Sequence, residues 1–505
     1  ITNRMIKLNQ LTACCVVSFD TQYSAVTKHK QNLQEIAINQ EEKMKKLIAA
    51  ALTLVLLIAC VFTLVACSET ELVIWVGEES ATYYASVMEQ YVADYAEKNG
   101  KEFPYKVVVK GVDASTAAEA ILKDAQAGPA IFTIPHDNLG KLIGTSPVIA
   151  ALTSQSLLAQ IEADNPDGYK KVVKNTLGGT EYTFAAPYIG QSLVLFYDKS
   201  KITDTEVETW EGIMAAAKRA GSDVKAMTVM GNDSYNLSFL MLARNAETKT
   251  TSVKIYEGST LSEMLENSYC TGDDTMASFK WGQRFFNDPN GGALSGSTTF
   301  DALMKDGKVL SLVGGAWKYD SVKAALGDNL GIAQLPTYTI TAEDAYGTCE
   351  EGTVMKSGTF ADCKVLCING MNEIVTGGNK QLCEDIVEYL TGKEIQEGSF
   401  EECNNLPAYK NAAAEFEAMQ ADTNEALLAK KQVEMAKWGI PQPFGYDSFL
   451  NLYFYQKGAD TYTQDILLMR DSANNNATAY DTDEKLLTGL TIIQNIWKTG
   501  KASGN

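Results

Sequence analysis

The feature that most constrains the fold is an alternation of short apolar runs with segments that have the apolar spacing of helices. The runs cover residues 71–76, 105–110 and 130–134, and their lengths and Val and Ile content are typical of buried strands. Between the first two runs, apolar positions recur every three or four residues and stop at Asn99-Gly100. This βαβαβ order predicts a parallel sheet that helices cover on both faces.

The alternation continues further along the chain. Residues 192–197, 226–230 and 309–313 also have strand patterns, and residues 210–220 have a helical pattern. The chain has 505 residues, whereas a single hydrophobic core stops growing at roughly 250 to 300 residues. The alternation predicts an α/β protein, and the length predicts at least two lobes. The absence of a regular repeat excludes solenoids and propellers.

A segment with the features of an export signal precedes the first strand. Met44-Lys45-Lys46 is followed by an apolar run over residues 47–65 and by a cleavage site of small residues at 64–68. About 20 apolar residues would also suffice for a membrane-spanning helix. The sequence Leu-Val-Ala-Cys at residues 64–67 resembles the bacterial lipobox, in which the cysteine is acylated. This resemblance favours a signal peptide over residues 44–67 and lipid attachment at Cys67. Residues 1–43 show no sustained period, and we expect them not to belong to the native protein.

Composition excludes several classes of function. Lys and Arg number 43 against 63 Asp and Glu, for a formal charge of -20, so the chain lacks the basic surface that nucleic acids require. Only two histidines are present, and the motifs of hydrolase elbows, zincins, P-loops and dinucleotide sites are absent. We therefore expect no cofactor, no metal and no catalytic residues.

Six cysteines follow the proposed cleavage site, at Cys270, Cys349, Cys363, Cys367, Cys383 and Cys403. None forms a C-x-x-C pair, so a zinc site is not expected. Export would permit disulfides, but the spacing does not reveal a pairing. Disulfides and buried free thiols both remain open.

Polar and aromatic side chains follow the predicted strands, where open α/β sheets bind ligands. Sugars need aromatic platforms for their apolar ring faces and planar polar groups for their hydroxyls. Trp317 could equally be a core residue, and the pair Glu78-Glu79 could be a solvated loop. The candidate residues are Glu78, Glu79, His136, Asp137, Gln191, Asp233, Tyr235, Trp317 and Tyr319.

Several segments, in order and in spacing, resemble the maltose/maltodextrin-binding protein family. The resemblance spans nearly all of residues 70–460. Members of that family are extracellular solute-binding lipoproteins that feed ABC-type transporters. The segments are residues 71–76, 128–132, 136–137, 186–199, 209–211, 306–308, 314–317, 335–337, 389–391 and 440–442.

The resemblance implies a two-lobe periplasmic-binding-protein-like fold with hinge crossings and an interlobe ligand cleft. Lobe one would comprise residues 70–188 plus 336–398, and lobe two residues 192–332 plus 405–505. Residues 189–191, 333–335 and 399–403 would be the hinges. Closure around a ligand would be a hinge motion driven by contacts that only the closed state makes.

The resemblance also assigns roles to individual side chains. Asp137 matches a sugar-hydroxyl acceptor, Tyr235 and Trp317 match stacking aromatics, and Tyr319 stands where a second tryptophan is usual. Glu78 or Glu79 lies near an acidic ligand position, and Phe444 or Tyr446 would supply a C-terminal platform. His136 is expected to be a hydrogen-bonded supporting group. Three departures, Ile134, Asn138 and Gln191, put maltose itself in doubt.

The expected protein is a monomeric receptor, held on the outer side of a bacterial membrane by its N-terminal lipid. It would pass an oligosaccharide to ABC-type permease subunits without catalysis. One alternative is a receptor of the same fold for a polyamine, polyol or peptide, which acidic residues beside aromatics leave open. A second is an envelope glycoside hydrolase that uses two carboxylates.

Overall fold

The computed structural model describes residues 70–143, 147–231, 234–254, 266–295, 300–437, 439–440, 459–472, 474 and 476–499. The chain divides into two compact units, residues 1–70 and 71–505, and the described residues other than Thr70 belong to the second. The predicted signal segment 44–67, its Cys67 and residues 1–43 lie outside the described residues. Within the described ranges, no helix is both long and apolar enough to cross a membrane.

The strands are short and occur throughout the described chain. They are β1 (Glu71–Gly77), β2 (Lys106–Val112), β3 (Ile131–Pro135), β4 (Lys174–Leu177), β5 (Thr180–Thr183), β6 (Ala185–Gln191), β7 (Val194–Asp198), β8 (Met227–Met230), β9 (Arg244–Asn245), β10 (Gly292–Ser295), β11 (Ser311–Gly314), β12 (Leu330–Ala333), β13 (Thr337–Thr339), β14 (Val354–Lys356), β15 (Asp362–Ile368) and β16 (Leu406–Pro407).

Helices alternate with these strands and dominate the C-terminal part. They are α1 (Ala81–Asn99), α2 (Ala114–Lys123), α3 (Leu139–Ile143), α4 (Gln155–Asp164), α5 (Asp167–Val172), α6 (Trp210–Ala220), α7 (Ser234–Met241), α8 (Asp273–Asn287), α9 (Phe300–Lys305), α10 (Tyr319–Leu326), α11 (Lys380–Leu390), α12 (Lys393–Cys403), α13 (Ala412–Ala418), α14 (Asn424–Ala436), α15 (Ala459–Leu467) and α16 (Asp483–Thr499). Short 3-10 turns at Glu78–Ser80 and Ala316–Lys318 follow β1 and β11.

The first sheet has the strand order β16-β6-β15-β3-β1-β2 in the described chain. As predicted, β1 pairs in parallel with β2 and β3. The sheet is nevertheless mixed, because β15 inserts antiparallel between β3 and β6. Side chains alternate between two apolar clusters, with Leu72 and Ile74 in one and Phe132 and Ile134 in the other. Both faces are therefore covered, as the apolar runs predicted.

The second sheet has the order β10-β8-β11-β7-β12 and the largest apolar cluster. Helix α6 begins at a cap, where the Thr209 hydroxyl accepts a hydrogen bond from the Gly212 amide at 3.0 Å. The ring of Trp210 is fully buried and contacts Phe239 and Phe285, each with 5.5 Å between ring centroids. These contacts fix the helix against the sheet and define a second lobe.

Residues 337–356 lie with the second sheet, whereas the sequence placed them in lobe one. Their strands β13 and β14 form a small sheet with β9, and Tyr338 stacks on Trp281 at 4.2 Å between ring centroids. Because Tyr338 and Met355 are fully buried in the apolar cluster of the second sheet, packing favours the second lobe for this segment. The remaining lobe boundaries stay predictions.

The chain passes between the two large sheets at places that only partly match the expected hinges. The first crossing lies between β6 and β7, beside the expected residues 189–191. The second lies at residues 357–361, after β14 instead of at residues 333–335. Residues 399–403 are helical in α12, and the third crossing follows β16. A separate apolar cluster at this crossing packs Phe400 against Phe416, with 4.5 Å between ring centroids.

Candidate ligand-binding cleft

A solvent-open cavity lies where the ends of the two sheets face each other, and together with the adjoining open solvent it comprises about 430 Å³ of empty space. The first sheet and its following turn supply Glu79, Ile189, Gly190, Gln191 and Lys364, whereas the turn and helix after β11 supply Ala316, Trp317, Tyr319 and Asp320. The segment that ends α12 and leads into β16 completes the lining with residues 403–406. The cavity thus has the interlobe position expected for a ligand site.

The first-sheet side of the cavity contains an ion pair. Lys364 lies in β15, and its ammonium Nζ donates to Glu79 Oε1 at 2.5 Å. The side chains are 9% and 29% exposed. Glu79 occupies the turn after β1, where a Cβ on Gly77 would lie 2.5 Å from its Oε1 atom. Glycine at position 77 therefore leaves room for the carboxylate to fold back toward Lys364.

This pair keeps Glu79 ionised. Burial by itself would raise the pKa of Glu79, but the charge and the hydrogen bond of Lys364 outweigh that effect and lower the pKa below 4.5. A lysine in a sheet interior is stable only with such a partner. The cavity wall consequently offers one carboxylate and one ammonium that neutralise each other.

On the opposite side, Trp317 presents an aromatic face to the cavity. Its side chain is 39% exposed, and its ring lies against Gly315, where a Cβ would come within 2.0 Å of the indole. Behind it, Tyr235 contacts Trp317 at 5.9 Å and stacks on Phe360 at 5.8 Å between ring centroids. This support holds the indole in place, as a platform for a sugar ring requires.

Tyr319 lines the same side but is only 1% exposed. Its hydroxyl donates to Glu425 Oε1 at 2.5 Å, and Lys323 Nζ donates to the same oxygen at 2.6 Å. The ring is therefore tied to α14 of its own lobe, and its role as a second platform stays a prediction.

The segment between α12 and β16 forms the third wall. Asn404 has a left-handed backbone with φ 59°. Its backbone N–H donates to the Phe400 carbonyl oxygen at 2.9 Å, and this bond ends helix α12. Asn405 donates to the hydroxyls of Ser80 and Ser399. Burial, followed by the nearby carboxylates, raises the pKa of the Cys403 thiol to about 11. This wall is polar and uncharged near neutral pH.

The structure brings only some of the predicted site residues to the cavity. Glu79, Gln191, Trp317 and Tyr319 line it, and Tyr235 supports Trp317. Glu78 is exposed beside the cavity lining, and Asp137 is 5% exposed and lies within 3.4 Å of the Asn138 amide nitrogen instead. Asp233 and Tyr446 lie outside the described residues. The roles proposed for all these side chains remain predictions.

His136 fits the expected supporting role. It is fully buried, and its Nδ1 atom lies 3.4 Å from the Cys363 carbonyl oxygen and 3.5 Å from the Cys363 amide nitrogen. Its Nε2 atom lies 3.9 Å from Asp362, a residue that pairs with Gln191 across the sheet. The imidazole thus packs beneath the strand ends without lining the cavity.

Sequence reasoning missed Lys364, Asp320, Asn404 and Phe360. One signal for Lys364 was available, since a lysine between Cys363 and Val365 interrupts an otherwise apolar strand. Asp320 and Asn404 had no such signal, because an acidic or amide residue near a helix end is ordinary. Among the described residues, no group of three or more His, Cys, Asp or Glu side chains is arranged to hold a metal ion.

Comparison with known proteins identifies the family. A family model described as bacterial extracellular solute-binding protein matches residues 90–428, which is more than half of the chain. A comparison of the sequence with curated proteins gives no match.

Solved structures share the fold at low sequence identity. A maltodextrin-binding protein from L. casei BL23 without ligand has 19% identity and a TM-score of 0.61, over 85% of this chain and 100% of that one. A complex with acarbose has 18% identity and a TM-score of 0.63, over 84% and 99%. A cyclo/maltodextrin-binding protein complexed with maltotetraose has 16% identity and a TM-score of 0.59, over 86% and 100%. This chain therefore has their two-lobe fold.

Proposed function

This chain belongs to the bacterial extracellular solute-binding proteins, and we propose that it captures an oligosaccharide in the interlobe cleft and delivers it to an ABC-type importer. The observation that carries the proposal is the cavity between the two sheets, with an exposed, supported indole on one side and polar groups on the other. An aromatic face opposite hydrogen-bonding groups matches the two surfaces of a sugar ring. The maltodextrin, acarbose and maltotetraose ligands in the names of the related structures support the same class.

The receptor acts outside the cytoplasm, as its family does. In the proposal it is a monomer, attached to the membrane through an acylated Cys67, and it performs no catalysis. Polyamine binding is less well supported because it needs several carboxylates free to pair with ammonium groups. In the cavity, Glu79 is already paired with Lys364. The same pairing argues against Glu79 as one of two hydrolytic carboxylates.

The first test is a thermal-shift screen on residues 68–505, which include the whole second compact unit. The ligands are neutral oligosaccharides, polyols, peptides and polyamines. A ligand at a hundred times its dissociation constant should add about 2.7 kcal/mol of stability, which raises the melting temperature. Stabilisation by one oligosaccharide series is expected, and stabilisation by polyamines or peptides alone would reject the sugar assignment.

The second test is the substitution Trp317→Ala, followed by calorimetric titration with the oligosaccharide that the screen identifies. Loss of the stacking surface should raise the dissociation constant by about tenfold or more, because a stacked aromatic contributes roughly 0.5–1.5 kcal/mol beyond its buried area. Tyr269→Ala is the control, since Tyr269 is equally exposed at 39% but does not line the cavity. Equal affinities in the two variants would show that Trp317 is not the platform.

A further inference from the structure

The charged side chains that line the cavity are unequally partnered. They are Glu79, Lys364 and Asp320. Glu79 and Lys364 form the ion pair described above, whereas Asp320 is exposed on the opposite lobe. Glu79 comes from the turn after β1 and Asp320 from the helix after β11, so the two carboxylates line the cavity from different lobes. The cavity therefore contains two negative charges and one positive charge.

The position of Lys364 makes its charge hard to reorient. Its strand β15 pairs on both sides, with Pro135 of β3 and with Ile189 of β6. The Lys364 side chain is 9% exposed and points to the turn after β1. A ligand carboxylate that approached this ammonium would lie beside the Glu79 carboxylate and would be repelled by both Glu79 and Asp320. Like charges brought together in an interface are strongly unfavourable.

A neutral sugar is not repelled in this way and can form hydrogen bonds with the same two side chains. The second oxygen of Glu79 can accept a hydroxyl proton, and the other Lys364 protons can donate to a hydroxyl oxygen, without separation of the ion pair. Hydrogen bonds of this kind involve charged groups and are among the stronger ones. The paired charges thus bind hydroxyls while the net field of the cavity remains negative.

We propose that the Glu79–Lys364 ion pair is a charge filter that restricts the cleft to uncharged oligosaccharides and excludes those that carry uronic acids. The inference rests on the proposed function and specifies its substrate class. Glu79 acts as the filter because it occupies the only cation that the described residues place in the cavity lining. Removal of the Glu79 charge should therefore convert Lys364 into a binding site for a carboxylate.

The test compares matched neutral and acidic sugars on the wild type and on Glu79→Gln. Calorimetric titration uses maltotriose, cellotriose and xylotriose as neutral probes and trigalacturonate as the acidic probe. We expect the wild type to bind a neutral probe and to show no measurable trigalacturonate binding. In Glu79→Gln, trigalacturonate binding should become measurable, at an affinity about tenfold or more above the detection limit of the wild-type titration, because Lys364 is freed and one repulsive charge is lost.

Two further variants make the result specific. Glu71→Gln is the control, since Glu71 forms a similar pair with Lys106 on the same sheet, but with side chains 45% and 56% exposed at the surface. It should leave both affinities unchanged. Adding Lys364→Met to Glu79→Gln should abolish the gain for trigalacturonate, and this double variant should fold well because removing both members of a buried pair is often neutral.

The outcomes separate the filter from the function. Wild-type binding of a neutral probe with no gain of trigalacturonate affinity in Glu79→Gln would overturn the filter and leave the receptor intact. Tighter wild-type binding of trigalacturonate than of any neutral probe would also overturn it. If the wild type bound none of these sugars in titration or in the broader screen, the proposed function itself would fail.

Discussion

The Glu425 carboxylate holds two elements of the second lobe together. It accepts hydrogen bonds from the Tyr319 hydroxyl and from the Lys323 ammonium. These two bonds, that of Lys323 first, lower the pKa of Glu425 to about 2 from 4.5. Because the folded pKa lies below the unfolded value, the carboxylate stabilises the fold at pH above about 4.5. That contribution is lost as the pH falls toward 2.

We predict that Glu425→Gln weakens the acid dependence of stability. Between pH 5 and pH 3 the free energy of unfolding of the wild type should fall more steeply than that of the variant, because only the wild type must protonate Glu425 as it unfolds. Urea unfolding at a series of pH values measures both slopes. Glu417→Gln removes an exposed ion pair with Lys437 and controls for the loss of one surface charge. Parallel curves for the wild type and Glu425→Gln would contradict the prediction.

At the scale of residues, the sequence identified those side chains whose positions follow from the strand that immediately precedes them. Trp317 follows β11 directly, and Glu79 follows β1, so a rule about strand ends finds both. Lys364 reaches Glu79 across 285 residues of sequence, and only strand pairing brings them together. Asp137 also follows a strand, but the turn after β3 directs it into a buried contact with Asn138. Strand ends therefore indicate candidates, whereas tertiary packing decides which of them face the cavity.

The end of α1 offers a test of backbone conformation at the scale of elements. Gly100 closes this helix with φ 63°, and its amide bonds to the Ala96 carbonyl at 3.0 Å. A Cβ at this position would meet no atom within 4 Å, so a substitution changes only the backbone preference. Gly100→Ala should therefore destabilise the protein by about 1 kcal/mol, the cost of a left-handed residue with a side chain.

The matched control is Gly377→Ala. Gly377 also has open space around its Cβ position, but its φ is not in the left-handed range. This substitution should leave the free energy of unfolding unchanged or raise it slightly. Urea unfolding of both variants distinguishes the two effects, and equal changes would show that the helix end tolerates a side chain without strain.

Elements with a strong local pattern were predicted well from the sequence. The βαβαβ unit from β1 to β3 and helix α6 are observed. The order of the strands within each sheet could not be derived in this way. Strand β15 lies between β3 and β6 because its apolar residues complete both faces of the sheet, and no local period encodes such a partner.

At the scale of the whole molecule, the six cysteines of the second unit are free thiols. Cys270, Cys349, Cys363, Cys367 and Cys383 are buried, and Cys403 is half-buried. Burial raises the pKa of each of these thiols, to about 11 for Cys403 and to about 12 for Cys349 and Cys383. Of the two alternatives left by the sequence, the structure thus has thiols instead of disulfides.

Alkylation with iodoacetamide should reflect this arrangement. Native protein of residues 68–505 at pH 7.5 should incorporate at most one alkyl group, slowly and at Cys403, because the thiolate is the reactive form. Unfolded protein without reductant should incorporate six. Mass spectrometry counts the groups, and fewer than six in the unfolded chain would reveal a disulfide. Reductant should leave the melting temperature unchanged.

The insertion of β15 between β3 and β6 delays completion of the first sheet during synthesis. As the chain leaves the ribosome, strands β1 to β3 and β6 emerge long before residues 362–368. Until those residues arrive, β3 and β6 have no shared neighbour, and the apolar faces of the first sheet lack their central strand. The second lobe is also incomplete at that point, because helices α14 to α16, whose Leu428, Ile466 and Trp497 belong to the apolar cluster of the second sheet, emerge after β15. Neither lobe can therefore close until late in synthesis, and secretion that keeps the chain unfolded until release would protect the exposed strand edges.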